Sequence, residues 1–178
     1  MRKVLYIFAE FKDQDIDWLV SAGSRQRIPV GTTLIEAGKH VSSLYFVLSG
    51  RFRVLAAGTS VLADLASGEI LGELSFLDSR PPNATVSAVE DSTVLTISAA
   101  RLSTKLKTDM GFAARFYRAL GVLLAHRLRD TTGQLAYGPE RHLDEDVEED
   151  GEVAPDLLEN MGLAAARFDR MLQEVMSG

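Results

Sequence analysis

The chain has 178 residues, of which 46% are apolar and none is cysteine. This length suffices for one domain with its own core plus an appendage, and the lack of cysteine excludes disulfides, thiolate chemistry and zinc–cysteine sites. The net charge of −6 is uneven, because residues 144–159 hold nine acidic groups and no basic one, whereas residues 1–143 carry 17 Lys and Arg against 14 Asp and Glu. No general basic surface is evident, so we expect no nucleic-acid partner.

The N-terminal segment is basic and then apolar, a pattern that also occurs in signal peptides. Glu10, Lys12 and Asp13 follow it at once without a small-residue cleavage site, so we interpret it as the first structured segment. No uninterrupted apolar run approaches the ~18 residues of a membrane span. We therefore expect a cytoplasmic protein with no membrane partner.

The first two-thirds of the chain predicts one short helix followed by many short strands. The helix covers residues 12–22, with Asp13 as its N-cap and an apolar side that ends before Gly23. The period of the pattern then changes from 3.6 to two. The predicted strands lie within residues 27–35, 43–50, 51–55 and 60–65, with glycine at most of the corners between them. Strands of this length and spacing are typical of a small antiparallel roll or barrel.

The stretch from Gly68 to Ala84 interrupts the strands with one or two helical turns. Gly72 permits close approach of a ligand to the backbone, and free N–H groups at the following helix start favour an anion. The double proline at residues 81–82 ends the helix, because a residue that precedes proline is driven out of the helical region. Two further strands follow, over residues 85–89 and 92–97.

The last third of the chain is predicted to be helical. A short helix covers residues 101–107, and a long one runs to about Leu135 with an apolar stripe from Phe112 to Leu128. A single small roll is too small to cover that stripe, so we expect a homodimer formed through the long helix. Pro155 is predicted to begin a last short helix, and residues 164–176 either continue it or form another helix.

The segment Gly72-Glu73-Leu74-Ser75-Phe76-Leu77 through Ala84-Thr85-Val86 resembles the phosphate-binding cassette of cyclic-nucleotide-binding domains, of the catabolite activator and protein kinase A regulatory type. The resemblance covers residues ~12–135 and implies a mainly β fold with flanking helices. This fold is an antiparallel, jelly-roll-like β-roll with a short N-terminal helix, a cassette helix and a long C-terminal helix. It predicts one domain over residues 1–137, and we interpret residues 138–178 as an acidic linker with a short helical tail.

The resemblance also implies ligand-binding residues. Glu73 corresponds to the glutamate that accepts a hydrogen bond from the ribose 2′-hydroxyl, and backbone N–H groups of the cassette would hold the phosphate. Thr131 and Thr132 correspond to a pair that contacts adenine from the long helix. The full predicted set is Gly72, Glu73, Leu74, Ser75, Arg80, Asn83, Ala84, Thr85, Thr131 and Thr132. The alternatives are a solvated turn for Glu73, an ordinary strand residue for Thr85 and a fraying helix end for the two threonines.

The cassette departs from the family pattern where an arginine usually binds the cyclic phosphate, because Pro82 occupies that position. Arg80 could substitute, since its long side chain ends in a fork that suits phosphate, or it could pair with Asp78 at the surface. Loss of a buried charge partner costs about 2–5 kcal/mol, which would reduce micromolar binding of cyclic AMP to millimolar unless Arg80 substitutes.

Together these features predict a regulatory module without enzyme activity. The expected ligand is cyclic AMP or another cyclic nucleotide, and no cofactor is expected. We expect an unknown protein partner to receive the signal. One alternative is a ligand-free interaction scaffold of the same fold. Another, a transcription regulator, would need a longer C-terminal region than the roughly 40 residues after the long helix. The three histidines are scattered and form no metal motif, and the acidic run is interpreted as a flexible tether rather than a calcium loop.

Overall fold

The computed structural model describes residues 7–56, 60–137 and 155–177. Within them the helices are α1 (Asp13–Ala22), α2 (Glu73–Asp78), α3 (Ala99–Thr108), α4 (Met110–Tyr137) and α5 (Pro155–Ser177). The strands are β1 (Ser24–Ile28), β2 (Thr33–Ile35), β3 (Ser43–Ser49), β4 (Arg51–Ala56), β5 (Val61–Ala66), β6 (Ile70–Leu71), β7 (Ala84–Ala88) and β8 (Ser92–Ser98). Residues 7–10 are also helical.

The strands form two four-stranded antiparallel sheets with the orders β1-β8-β3-β6 and β2-β7-β4-β5. Each sheet draws on distant parts of the chain, so that β3 pairs with β8 and β4 pairs with β7. This arrangement confirms the predicted antiparallel roll with flanking helices.

Alternation along β3 explains how one sheet faces two apolar clusters. Leu44, Phe46 and Leu48 belong to the cluster that the helices share, whereas Val47 and Tyr45 contact the cluster inside the roll. Successive side chains of a strand point to opposite faces, so a strand covered on both sides carries apolar residues nearly continuously. The core therefore consists of a roll interior and a larger helix-side layer.

The start of α1 differs from the prediction. Lys12, and not Asp13, occupies the N-cap position, and its backbone N–H donates to Asp15 Oδ2 over 2.7 Å. Asp15 also accepts two hydrogen bonds from the Arg115 guanidinium of α4, at 2.6 and 2.8 Å, and is 1% exposed. Asp15 lies in the first turn of α1, where its carboxylate accepts a hydrogen bond from the Lys12 N–H and also joins α1 to α4.

The first half of the apolar stripe on α4 is covered within the chain, which the sequence did not predict. Phe112, Phe116 and Leu120 are buried within their own chain, by α1, α2 and the segment that precedes α1. The roll and its helices therefore cover the first half of the stripe. Further along, Leu128 is 64% exposed, so only the second half lacks cover in the monomer. The dimer itself stays a prediction.

Helix α5 is one continuous helix, so of the two predicted alternatives residues 164–176 continue the helix that begins at Pro155, and it packs on α1. Phe168 contacts Phe8 edge-to-face with ring centroids 5.1 Å apart, and Arg167 Nε donates to Asp13 Oδ1 over 2.8 Å. The predicted flexible tether over residues 144–159 lies outside the described residues up to 154, whereas 155–159 belong to α5. None of the helices in the described ranges is long and apolar enough to cross a membrane.

Candidate functional site

Glycine at position 72 forms the corner at which the predicted cassette begins. Its φ is +86°, in the left-handed region, and a Cβ there would lie 2.8 Å from the Ser43 carbonyl oxygen. Only glycine satisfies both conditions without displacing the backbone. The corner starts α2, which has six residues and ends at Ser79, itself left-handed at φ +59°. Phe76 of α2 packs edge-to-face on Phe116 of α4, which fixes the cassette helix against the long helix.

Glu73 is buried and paired with an arginine that the sequence analysis did not identify. Arg127 of α4 donates from Nη1 to Glu73 Oε1, and from Nη2 to Glu69 Oε2 over 2.9 Å. The same Nη2 also donates to the Ile70 carbonyl oxygen over 2.7 Å. Glu73 is only 3% exposed, so the alternative of a solvated turn residue is wrong. One guanidinium therefore joins the long helix to Glu69, which precedes β6, and to Glu73, which follows it.

Opposing electrostatic effects act on the carboxyl group of Glu73. Burial raises the pKa of Glu73, while the positive charge of Arg127 lowers it and the neighbouring Glu69 carboxylate raises it further; the net shift is upward. A buried carboxylate that loses its cation is costly, because neither water nor another charge replaces it. The Arg127 contact is therefore the condition under which two acidic side chains stay together at this corner.

The far end of the cassette is tied to the loop between β2 and β3. The Gly38 N–H donates to the Pro82 carbonyl oxygen over 2.8 Å, and the Ala37 N–H donates to Thr85 Oγ1 over 3.2 Å. The Thr85 hydroxyl thus has a partner as acceptor and keeps its own proton to donate. Asn83 is exposed, and Ala84 and Thr85 are partly buried at the start of β7.

Arg80 lies at the surface beside Asp78. Its side chain is 83% exposed, and its Nε is 4.0 Å from Asp78 Oδ2, while its backbone N–H donates to Asp78 Oδ1 over 3.0 Å. This is the second of the two arrangements that the sequence left open. Leu74 is exposed on the outer side of α2, whereas Ser75 is buried.

Thr131 and Thr132 lie one turn beyond Arg127 on α4, and both are exposed. Their hydroxyls donate to the carbonyl oxygens of Arg127 and Leu128, each over 2.9 Å. These hydroxyls are therefore bonded to their own helix, and binding a ligand base would require them to rotate.

The family model for the cyclic nucleotide-binding domain matches residues 25–109, which run from β1 to the end of α3 and include the whole cassette. These residues belong to the cyclic nucleotide-binding domain family. The matched residues include the Gly72 corner, Glu69 and Glu73. Arg127 lies outside the matched residues, on the helix that follows.

Among curated relatives, an uncharacterised NTE family protein of Mycobacterium bovis is 30% identical over 118 residues, which are 66% of this chain and 20% of the relative. The chain thus spans about a fifth of that protein's length. Among solved structures, a cyclic nucleotide-binding domain from Methylobacillus flagellatus has a TM-score of 0.69 at 21% identity and covers 76% of this chain and 82% of its own. That likeness shows the fold.

A third match is the c-di-GMP responsive global regulator CLP of Xanthomonas campestris. Its structure has a TM-score of 0.66 at 25% identity and covers 93% of this chain and 92% of its own. The two chains therefore share the same fold.

Arg127 could have been suspected from the sequence on one ground. It falls one turn beyond the buried Leu123, on a helix whose apolar stripe otherwise consists of aromatic and aliphatic residues. A long cation that interrupts such a stripe often reaches an acid on a neighbouring element. The sequence alone offered several acidic residues as partners for Arg127 and gave no distance to any of them.

Proposed function

We propose that this chain is a regulatory module that binds a cyclic nucleotide on the cassette and transmits its presence through α4. The observation that carries the proposal is the contact of Arg127 with Glu73. It connects the carboxylate that would receive the sugar hydroxyl with the helix that would carry the signal. A ligand that changes this contact changes the balance between two positions of α4.

The exchange at Glu73 has a simple chemical basis. A carboxylate offers about four lone-pair positions, and the Arg127 guanidinium donates to Oε1. A ribose hydroxyl can therefore either share the carboxylate with Arg127 or displace it. Displacement would leave the guanidinium with Glu69 Oε2 and the Ile70 carbonyl oxygen as partners. In both cases ligand binding alters how firmly the cassette holds α4.

The relatives support a cyclic nucleotide as the ligand class for this chain. The regulator of X. campestris is named for its response to c-di-GMP, and the matching family model is that of cyclic nucleotide binding. The proposed ligand for this chain is therefore cyclic AMP or another cyclic nucleotide, and cyclic dinucleotides belong in the same trial.

A titration tests the proposal. Purified protein is followed by thermal shift and by calorimetry with cyclic AMP, cyclic GMP and c-di-GMP. At least one is expected to raise the melting temperature and to bind saturably. Glu73→Gln is expected to weaken binding of that ligand by about 10- to 100-fold, because a charge-assisted hydrogen bond becomes a neutral one. Binding of inorganic phosphate should change little.

Pro82→Arg sharpens the same experiment. It restores the arginine that the family resemblance implies, so it is expected to strengthen cyclic AMP binding, provided that the variant keeps its fold as judged by circular dichroism. A folded protein in which no cyclic nucleotide has any effect, with or without this substitution, would contradict the proposed function.

A second candidate function is a ligand-free interaction scaffold. Two observations favour it, namely that Arg127 already pairs with Glu73 and that Arg80 lies beside Asp78 rather than free. The scaffold predicts that Glu73→Gln lowers the melting temperature and that no nucleotide restores it. The sensor predicts restoration by its ligand, so the same samples separate the two functions.

We also propose that α4 associates with a second copy through the exposed side that runs from Tyr117 to Leu128. Tyr117 and Leu128 are 50% and 64% exposed, and Gly121 between them is open to close approach of another helix. Sedimentation equilibrium at micromolar concentration is expected to show a dimer that Leu128→Asp dissociates. The charge-changing control Arg129→Asp, on the neighbouring exposed position, should have a smaller effect. A monomer at all concentrations would exclude this association.

A further inference from the structure

A cavity of about 260 Å³ lies between β2 and the loop that leads to β3. Two side chains that can carry positive charge line it, those of Lys39 and His40. Ser42 and Tyr45, whose side chains carry hydroxyl groups, line it as well, together with Glu36. This combination of basic and hydroxyl-bearing side chains in a concave site suits an oxyanion such as a phosphate group.

The cavity adjoins the cassette rather than standing apart from it. Its loop is bonded to the far end of the cassette through Gly38 to Pro82 and through Ala37 to Thr85. Two residues that line the cavity also approach the near end. A Cβ at Gly72 would lie 3.2 Å from Val41 Cγ1 and 3.9 Å from Ile35 Cδ1. The loop is therefore held between the two ends of the segment on which the ligand is proposed to bind.

The arginines near the cassette are engaged elsewhere. Arg127 is committed to Glu69, Glu73 and the Ile70 carbonyl oxygen. Arg80 is directed to solvent beside Asp78, and Arg53 forms a two-pronged pair with Asp64 on the outer face of its sheet. None of these three guanidinium groups lines the cavity.

Lys39 is held by a contact that a ligand can replace. Its Nζ lies 2.8 Å from Glu36 Oε2, and the two side chains are 71% and 52% exposed. An exposed ion pair of this kind adds little stability, because solvent screens both charges. Gly38 adopts a φ of +78° in the turn, and its N–H donates to the Pro82 carbonyl oxygen. Lys39 directly follows this residue. The ammonium group can therefore exchange Glu36 for an incoming anion at low cost.

We infer that this cavity receives the anionic group of the ligand and that Lys39 is its counterion, with His40 beside it. The inference rests on the proposed function, since the ligand is a cyclic nucleotide and the anionic group is its phosphodiester. Lysine acts as a single point charge and not as a fork, so binding through Lys39 depends strongly on salt and tolerates phosphates of different geometry.

The test compares four single substitutions by calorimetry with cyclic AMP at low salt. Lys39→Gln is expected to weaken binding by about 10- to 100-fold. Glu36→Gln removes the competing carboxylate and is expected to strengthen it by a few-fold. Lys107→Gln, which removes one positive charge on α3, is the control and should change affinity by about twofold or less, as general screening predicts, while Arg80→Gln tests the competing cation that the sequence offers. All four positions are exposed, so the fold is expected to survive.

A second probe separates this inference from the proposed function. Inorganic phosphate is titrated while the backbone amide resonances of residues 36–42 are followed by NMR. Shifts that Lys39→Gln abolishes would support the anion site even if no cyclic nucleotide binds, in which case the proposed function alone fails. Unchanged cyclic AMP affinity in Lys39→Gln with a large loss in Arg80→Gln would overturn the inference and leave the proposed function intact. Absence of any response to phosphate and to nucleotide would overturn both.

Discussion

The two halves of α4 are attached to the rest of the molecule in different ways. From Phe112 to Leu123 the helix is held by apolar packing, with six of its side chains buried in the helix-side core. Beyond Leu123 the side chains of residues 124–129 and 131–133 are half-buried or exposed, and the Arg127 guanidinium donates to Glu73, Glu69 and the Ile70 carbonyl oxygen. The first half is thus anchored by extensive apolar packing together with the Arg115–Asp15 pair, and the second half reaches the cassette through the Arg127 contacts, which a ligand can contest.

The largest effect is expected in the packed half. Phe116 is fully buried and contacts Phe11, Phe76 and Phe112 with ring centroids 5.8 to 6.4 Å apart. Phe116→Ala should reduce the free energy of unfolding by about 3–5 kcal/mol, because it leaves a large cavity. Urea unfolding followed by circular dichroism measures it. A loss of less than ~1 kcal/mol would show that this half of α4 is not the anchor.

A smaller and more local effect is expected at Arg127. Arg127→Gln removes a cationic partner of two buried carboxylates, and loss of such a partner costs about 3–5 kcal/mol where the region cannot relax. The second half of α4 can relax by opening. Amide hydrogen exchange should therefore rise by about tenfold or more over residues 124–133 and change little over residues 112–123. Arg118→Gln, at an exposed pair with Glu10, is the control. Equal acceleration in both halves would abolish the distinction between them.

The roll could be predicted from the sequence because local patterns specify it. Alternation and glycine corners depend on neighbours within a few residues, and the cassette from Gly72 to Thr85 is a continuous motif. The pairing of Arg127 with Glu73 joins residues 54 positions apart, and the reach of a long side chain leaves no periodic trace. For the same reason the Asp15–Arg115 pair, 100 positions apart, and the docking of α5 on α1 were not predicted.

The residues that cover the α4 stripe could not be predicted, for a related reason. The spacing of Phe112, Phe116 and Leu120 correctly indicated an apolar stripe, but a stripe does not state what covers it. Residues near the N-terminus bury part of the stripe, since the Phe11 ring stacks on the Phe112 ring with centroids 6.3 Å apart. Burial by a distant part of the same chain and burial by a second copy have the same sequence signature.

The smallest expected effect lies at the junction of the two halves. Gly121 is a glycine in the helix interior, and a Cβ there would have no heavy atom within 4 Å. Gly121→Ala should increase the free energy of unfolding by about 1 kcal/mol. Gly162→Ala in α5 is a matched control with equally open space and the same expected gain. If the junction bends during signalling, only Gly121→Ala should also reduce the ligand-dependent change in hydrogen exchange.

Amide hydrogen exchange with and without saturating cyclic nucleotide tests the central claim most directly, namely that a ligand on the cassette acts on α4 through Arg127. The ligand is the nucleotide found by titration. Exchange over residues 124–133 is expected to change by about tenfold, in either direction, while residues 112–123 stay as they were, and Arg127→Gln should remove the response without removing binding. Saturated ligand binding that leaves residues 124–133 unchanged, or a response that persists in Arg127→Gln, would contradict the account.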